Sequence, residues 1–220
     1  MIDAATLEAA LHAAPPPAAA RPLGDSGTAE ADAATLSDAA VLVPFLMAPE
    51  PRIVLTRRAD SLRTHKGQVA FPGGRLEGAE TALEGALREA EEEIGLARRL
   101  ARPIGYLDPY VTVTGFRVQP CVAILPEDAI LTPDPREVAD IFFVPLAFLA
   151  DRRNHERRSG IWRGRKRHAY AMPYDGFDIW GATAGMIRNL IDLVFGPEET
   201  ESLRRAPETV RIEMWDRQPS

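Results

Sequence analysis

The stretch FPGGRLEGAETALEGALREAEEEIGL, residues 71–96, places four glutamates, Glu89 and Glu91 to Glu93, at the end of a predicted helix. Like charges three and four residues apart on a helix repel each other by about a few tenths of a kcal/mol per pair. Arg88 precedes the cluster and can neutralise only part of its charge. The turn is therefore either a solvated surface or a site for a cation.

The local signals predict a helix from Thr81 to Ile94. Thr81, with Glu84 three residues later, matches the capping box of a helix N-terminus. Gly95 stands where a C-cap glycine ends a helix. Apolar residues recur at helical spacing and predict a core-facing stripe formed by Leu83, Ala86, Leu87, Ala90 and Ile94.

On this helix Glu89, Glu92 and Glu93 stand at positions i, i+3 and i+4, so they share one face beside the apolar stripe. Glu91 points elsewhere, toward solvent. Carboxylates are hard oxygen ligands that suit a small divalent cation such as Mg²⁺, which takes about six ligands. Glutamate-rich turns are more often only solvated, so this spacing alone leaves both interpretations open.

The fixed positions around the turn resemble the Nudix box, G-x5-E-x7-R-E-U-x-E-E-x-G-U. They are Gly74, Glu80, Arg88, Glu89, Glu92, Glu93, Gly95 and Leu96. Ala90 departs from the pattern, which prefers a bulkier aliphatic residue at this core-facing position. The resemblance implies an α/β fold, with a mixed β-sheet sandwiched between helices (α/β/α), and a hydrolase that uses Mg²⁺ or Mn²⁺.

The preceding stretch, VLTRRADSLRTHKGQVAFPGG at residues 54–74, is similar to the signature of the coenzyme A pyrophosphatase branch, L-L-T-x-R-S-x2-x-R-x3-G-x2-x-F-P-G-G. Arg58 and Arg63 hold its basic positions. Ala59 stands where that branch usually has serine, which is a departure within a loop. The segments EVADIFFVPLAFLAD and YDGFDIWGATAGMI also resemble this branch, so the resemblance covers about residues 39–195.

The resemblance implies roles for individual residues. Glu89, Glu92 and Glu93 are the expected metal ligands, and Glu89 is also a candidate general base. Arg88 is expected to orient a catalytic glutamate, and Glu80 to brace the loop. Glu137 is either a further ligand or base, or a surface glutamate before a strand.

The basic side chains upstream of the box are candidates for binding the substrate. Arg58, Arg63 and His65 would face its phosphates, since guanidinium groups bind phosphate bidentately. Gly73 and Gly74 would let the loop pack against the helix and offer a backbone carbonyl.

A second basic cluster, residues 152–167, is open to three interpretations: it steers an anion, forms a solvated hairpin or pairs with a second subunit. Aromatic residues could stack on adenine or serve the core, namely Trp162, Tyr170, Tyr174 and Trp180.

The chain is predicted to comprise an N-terminal helix and linker arm (1–38, partly flexible), a Nudix domain (39–196) and a C-terminal extension (197–220). A short helix is expected within residues 2–13, and residues 14–33 are rich in proline and alanine. Further strands are predicted at residues 39–47, 52–58, 101–107, 116–125 and 141–145, with a short strand at 68–74. A helical turn is predicted at 145–151, a strand and turn at 168–181, and a last helix at 182–196.

Composition favours an ordinary globular protein, with 45% hydrophobic and 26% charged residues and a net charge of −6. This charge argues against nucleic acid as the partner. The single cysteine, Cys121, fits a reducing, cytoplasmic location. We expect no membrane span, signal peptide or transit peptide. A homodimer is expected from the family resemblance and the frequency of two-fold pairs.

The leading functional hypothesis is cleavage of coenzyme A or acyl-coenzyme A to (acyl-)4′-phosphopantetheine and adenosine 3′,5′-bisphosphate. One alternative is a pyrophosphatase for ADP-ribose or a dinucleotide. Another is a nucleotide-binding regulator that has lost catalysis. The intact charged positions of the box disfavour this last reading, because a degenerate box is expected to have lost at least one of them.

Overall fold

The structure is a computed structural model that describes residues 2–17, 23–24, 36–62, 64–162 and 165–197, without the side chains of residues 162 and 165–167. Its helices are α1 (Ala4–Ala10), α2 (Ala82–Ile94), α3 (Leu146–Ala150) and α4 (Ala182–Phe195). Its strands are β1 (Leu23–Gly24), β2 (Ser37–Leu46), β3 (Arg52–Arg58), β4 (Val69–Ala70), β5 (Gly73–Arg75), β6 (Arg102–Tyr106), β7 (Tyr110–Val111), β8 (Phe116–Leu125), β9 (Val138–Pro145), β10 (Glu156–Trp162), β11 (Arg165–Tyr174) and β12 (Phe177–Trp180).

Within the described ranges, nine strands form one mixed sheet, in which β2 and β8 run parallel along their whole length. Strand β3 pairs antiparallel with both β2 and β9. Short strand β5 pairs with the start of β2, and β4 pairs with the end of β3. Strands β10 to β12 make a separate antiparallel sheet. Because β4 is paired with β3 and β5 with β2, the sheet fixes the position of the chain that leads into α2.

Helices cover both faces of the mixed sheet. Strand β2 alternates its side chains, so that Ala40 and Leu42 join Ala86 and Ala90 of α2 in one apolar cluster. Val43, on the opposite face, belongs to a larger cluster with α1 and α4. The predicted α/β/α arrangement is therefore confirmed.

The long elements lie where the sequence predicts them. Strands β3 and β8 have the predicted bounds, and α2 begins one residue after its N-cap, Thr81. Strands β1 and β7, which have only two residues each, were not predicted. Strand β10, ERRSGIW, has no clean apolar alternation and was covered only by the hairpin interpretation of residues 152–167; it pairs antiparallel with β11. Among the described helices, none has the length and apolarity needed to cross a membrane.

The predicted N-terminal helix is observed as α1, and it packs against the rest of the fold. Leu7 is completely buried in the cluster beneath α4. His12 forms an isolated antiparallel β-bridge with Tyr106, and its Nε2 lies 3.1 Å from Asp108 Oδ1. Residues 18–22, 25–35 and 198–220 lie outside the described residues, and the division at residues 38 and 196 stays a prediction.

Candidate active site

Helix α2 holds the glutamates of the candidate site against the sheet. Its start is fixed by a complete capping box, in which the Thr81 amide donates to Glu84 at 2.8 Å and the Glu84 amide donates to Thr81 Oγ1 at 3.3 Å. Its end is fixed by Gly95 in the left-handed conformation, with φ of 65°. The last turn of α2 therefore presents its carboxylates beside strand β5.

Glu93 is the buried carboxylate of the site, with only 4% of its surface exposed. Its Oε2 accepts a hydrogen bond from the Gly73 amide at 3.2 Å, and its Oε1 lies 3.6 Å from the Arg58 guanidinium. Burial raises the pKa of Glu93 to about 7, and the nearby charges of Glu89 and Glu137 add to that rise. Because a buried negative charge is costly, a carboxylate in this position is stabilised by binding a proton or a metal ion.

Glu89 lies one turn before Glu93 and is also largely buried, with 17% of its side chain exposed. Burial raises the pKa of its carboxyl, although Arg88 opposes that rise. The absence of a side chain at Gly74 makes room for this carboxylate. A Cβ built at Gly74 would lie within 3.0 Å of both carboxylate oxygens of Glu89. This contact gives a steric reason for a glycine at this position of the motif.

Arg88 connects the loop to the glutamates. It donates to Glu80 through Nε at 3.2 Å and Nη2 at 2.8 Å, and to the Arg75 carbonyl at 3.1 Å. Its Nη1 donates to Glu89 at 2.9 Å and to Glu92 at 3.3 Å. The Glu80 carboxylate also accepts from the Glu77 amide at 2.7 Å. Arg88 and Glu80 therefore hold the loop and the Glu89 carboxylate in one hydrogen-bonded unit.

Replacing Arg88 with lysine is expected to lower kcat about 10- to 100-fold, the usual loss when a group that orients a metal ligand is changed. An ammonium group on a flexible stem cannot reproduce the planar fork that reaches Glu80, Glu89 and Arg75 together. Steady-state kinetics at saturating metal would measure this loss. Arg98→Lys is the matched control, because Arg98 pairs with exposed Glu91 at the same end of α2. Equal activity of both variants would contradict the role of Arg88.

Glu137 lies close to the two buried carboxylates. The loop before β9 is tied to the end of α2, since the Asp134 amide donates to the Glu93 carbonyl at 2.9 Å. The Glu137 carbonyl accepts from the Ala59 amide at 2.8 Å, next to the end of β3. The charge of Glu137 raises the pKa of both Glu89 and Glu93. The fold thus brings together two glutamates of one helix and a third from a distant loop.

The residues present fit a divalent ion by their chemistry. Glu89, Glu93 and Glu137 offer hard carboxylate oxygens, and their mutual repulsion would be relieved by a cation. Glu92 is different: its side chain is 58% exposed and contacts Arg88. Among the described residues, no three acidic, histidine or cysteine side chains converge into a ready-made ligand set. Arg58 and Arg88 contact the predicted metal ligands instead.

A pocket of about 280 Å³ is lined by two of the predicted substrate-binding side chains, His65 and Arg58, and Arg58 also contacts Glu93. His65 has a left-handed backbone, with φ of 56°, and its Nδ1 lies 2.8 Å from Gln68 Oε1. Gly73 and Gly74 lie in β5, next to α2. Arg63 lies outside the described residues.

Sequence reasoning missed the opposite wall of this pocket. It includes the turn at Thr112 and Thr114 and the start of α4 at Ala182 and Met186. Of the predicted aromatic candidates, Trp180 lines this pocket, whereas Tyr174 packs against Phe148. Ala182 and Met186 belong to the segment YDGFDIWGATAGMI that resembles the coenzyme A branch, but nothing in their spacing indicated that they line the same pocket as Arg58.

Three arginines of the second basic cluster are engaged in local ion pairs. They are Arg152 with Asp192, Arg153 with Asp151, and Arg158 with Glu156 and Asp178. These pairs favour a structural role for those three. Residues 163 and 164, and the side chains of residues 165–167, are outside the described part of the chain.

Comparisons with known proteins identify the family of this chain. The NUDIX domain model matches residues 36–162. A protein named "Uncharacterized Nudix hydrolase NudL" from Cronobacter sakazakii is 42% identical over 153 residues, covering 69% of this chain and 80% of that protein. The protein of the same name from Escherichia coli (strain K12) is 39% identical over 153 residues, again covering 69% of this chain and 80% of that protein. A Caenorhabditis elegans Ap4A hydrolase structure covers 50% of this chain and 80% of its own, with 19% identity and a TM-score of 0.44.

The chain belongs to the Nudix hydrolase family. It is therefore an enzyme that acts on a nucleoside diphosphate linked to another group, and members of this family generally use divalent metal ions.

Proposed function

We propose that this enzyme hydrolyses the diphosphate of coenzyme A or acyl-coenzyme A, giving (acyl-)4′-phosphopantetheine and adenosine 3′,5′-bisphosphate. The observation that carries the proposal is the contact between Arg58 and Glu93. It joins the segment resembling the coenzyme A branch, residues 54–74, to the carboxylates of the Nudix box. Positive charge thus lies between the candidate reaction centre and the neighbouring pocket.

Glu89, Glu92 and Glu93 are proposed to hold Mg²⁺ or Mn²⁺, with Glu137 as a further ligand or base. When bound, the ion supplies neutralisation of charge on the diphosphate oxygens and acidification of water. Arg88 and Glu80 keep the Glu89 carboxylate in place. Burial raises the pKa of Glu93 to about 7, which suits proton transfer near neutral pH, and it also raises the pKa of Glu89.

Arg58, Arg63 and His65 are proposed to bind substrate phosphates. Coenzyme A carries a 3′-phosphate in addition to its diphosphate, so it needs more positive charge than ADP-ribose does. Arg58 Nε is buried and has no hydrogen-bond partner among the described residues, whereas Nη1 of the same guanidinium lies 3.6 Å from Glu93. Gly73 and Gly74 are proposed to line the diphosphate site through their backbone.

The substrate is tested by comparing kcat/KM for coenzyme A, dephospho-coenzyme A and ADP-ribose, with product masses. We expect coenzyme A to be cleaved at least about tenfold better than dephospho-coenzyme A, because one charge-assisted hydrogen-bonded contact is worth about 1.5–3 kcal/mol. ADP-ribose is expected to be the poorest substrate. Much faster hydrolysis of ADP-ribose would instead identify the alternative function. The homodimer and the cytoplasmic location stay predictions.

A further inference from the structure

A second cavity lies against a different face of α4 from the pocket that contains Arg58. Its volume of about 500 Å³ falls within the range for small-molecule sites, roughly 300–1,000 Å³. Arg188 and Asp192 of α4 line this second cavity, whereas Ala182 and Met186 line the first. Among the described residues, none lines both cavities. A ligand in the second cavity would therefore bind away from the glutamates of the Nudix box.

The wall opposite α4 is formed by the antiparallel pair of β10 and β11. Arg157 lies directly across from Tyr170, and His168 lies two positions before Tyr170, so their three side chains share one face of the pair. All three line the cavity. Arg158 is on the other face, where it pairs with Asp178 at 2.8 Å. The alternation of the strand thus gives two neighbouring arginines different surroundings.

Positive charge exceeds negative charge around this second cavity. Among its described lining residues the only carboxylate belongs to Asp192, whose Oδ1 lies 2.7 Å from Arg152 and 3.2 Å from Arg188. Two guanidinium groups thus share one carboxylate. Arg157 adds a third positive charge, and it forms no ion pair with another described residue. In a chain of net charge −6, this local excess favours an anionic ligand.

The two lining arginines differ in their surroundings. Arg188 is buried, with 7% of its surface exposed, and its guanidinium lies 5.2 Å from the centroid of the Tyr170 ring. Its Nε donates to Asp192 at 3.2 Å, and its Nη1 lies 3.4 Å from His155 Nδ1. Arg157 is exposed at the edge of the cavity. Because guanidinium groups bind phosphate through charge-assisted hydrogen bonds, Arg157 offers accessible donors and Arg188 a fixed positive charge behind them.

The size and lining of the cavity indicate an ester of phosphate. A single phosphate ion is far smaller than a volume of about 500 Å³. His168, Tyr170 and Asn189 bring polar side chains to the lining, and these suit hydroxyl groups on the rest of the ligand. The Asn189 side chain is fixed by two hydrogen bonds with Asp108, at 2.8 and 3.0 Å. The chemistry thus favours a small, hydroxyl-bearing phosphate ester such as a sugar phosphate.

We propose that this cavity is a second ligand site, separate from the candidate active site, and that it binds a small sugar phosphate or a similar phosphate ester. Arg157 donates to the phosphate, and Arg188 supplies further positive charge. The site does not depend on which diphosphate the enzyme cleaves, so it goes beyond the proposed function.

Amide NMR spectra of the full chain, titrated with ribose 5-phosphate and with ribose, test this site. Ribose 5-phosphate is expected to shift the signals of Ala169 and Gly185, which line the cavity, until they saturate. Ribose should shift neither, because it lacks the phosphate. Arg157→Gln is expected to weaken binding about tenfold or more, since it removes a charge-assisted contact. Arg153→Gln is the matched control and should bind as the unmodified protein does, because Arg153 is 89% exposed and pairs with Asp151 outside the cavity.

Three results would overturn the second site: no saturable shift at millimolar ribose 5-phosphate, shifts confined to the other pocket, as at Ala70 and Gly181, or equal affinity in Arg157→Gln. Inorganic phosphate serves as a third probe, and binding as tight as that of ribose 5-phosphate would contradict the assignment to an ester. Because Arg157 is exposed, its substitution is expected to leave the fold intact, which the same spectra report. The proposed function can fail separately, since the products of coenzyme A cleavage are measured without reference to this cavity.

Discussion

Replacing Glu93 with glutamine is expected to lower kcat about a thousandfold at saturating Mg²⁺ or Mn²⁺. A divalent ion supplies several kcal/mol of transition-state stabilisation, and each 1.36 kcal/mol corresponds to a factor of ten in rate. Glutamine keeps the size of the side chain and a carbonyl that can accept from the Gly73 amide, but it loses the negative charge. The fold is therefore expected to survive while turnover is lost.

Glu91→Gln is the matched control for this substitution. Glu91 lies on the same turn, but its side chain is 46% exposed and pairs with Arg98, away from Glu93. Its replacement should leave kcat and KM within about twofold, since exposed ion pairs contribute little. If Glu93→Gln retained full turnover while remaining folded, its assignment as a metal ligand would be wrong.

Gly74→Ala is the second substitution with a large expected effect. Gly74 does not have a positive φ, so an alanine is not excluded by backbone conformation. The added methyl group would instead lie within 3.0 Å of the Glu89 carboxylate and displace it. A misplacement of about 1 Å in an active site costs on the order of a hundredfold in rate. We expect kcat to fall by about that factor, measured at saturating substrate and metal.

Gly85→Ala provides a graded comparison. A Cβ at Gly85 would meet Leu76 Cδ2 at 2.6 Å and Glu80 Oε1 at 2.9 Å, which are the ends of side chains that can move. This change is expected to reduce activity less than Gly74→Ala, because it disturbs the brace and not the Glu89 carboxylate itself. A larger loss for Gly85→Ala, or full activity of Gly74→Ala, would contradict the steric role of Gly74.

The sequence predicted α2 closely because its local signals agree. The capping box at Thr81, the apolar stripe and Gly95 each depend on residues within one or two turns of the helix. The same is true of β3 and β8, whose long runs of strand-forming residues have clear ends. Such elements can be predicted without knowing what they pack against.

The surroundings of the glutamates could not be predicted in the same way. The family resemblance named Glu137 as a candidate, but Glu137 lies 44 positions after Glu93 in the chain, and hydrogen bonds from Thr132 and Asp134 to the end of α2 bring its loop to the site. The wall at Ala182 and Met186 likewise depends on α4 packing across the sheet. These are long-range contacts, which the spacing of residues within one segment does not specify. The motif thus specifies the chemistry of the site, and the tertiary fold completes its shape.

The burial of the glutamates was also not visible in the sequence. Helical spacing placed Glu89, Glu92 and Glu93 on one face, but their environments differ in the structure. Glu93 is 4% exposed, whereas the Glu92 side chain is 58% exposed. The difference arises because Glu93 contacts Gly73 and Arg58 next to the sheet. Glu92 contacts Arg88 on the exposed side of the helix. Two glutamates of the same motif can therefore differ in burial and in their charged neighbours.

Locating Mn²⁺ by anomalous diffraction from soaked crystals tests the central claim most directly. A divalent ion should lie between the end of α2 and the Glu137 loop, within bonding distance of the Glu89 and Glu93 carboxylates, and should be absent in the Glu93→Gln variant. An ion bound elsewhere, or no ion at millimolar Mn²⁺, would contradict the assignment of this acidic cluster as the metal site.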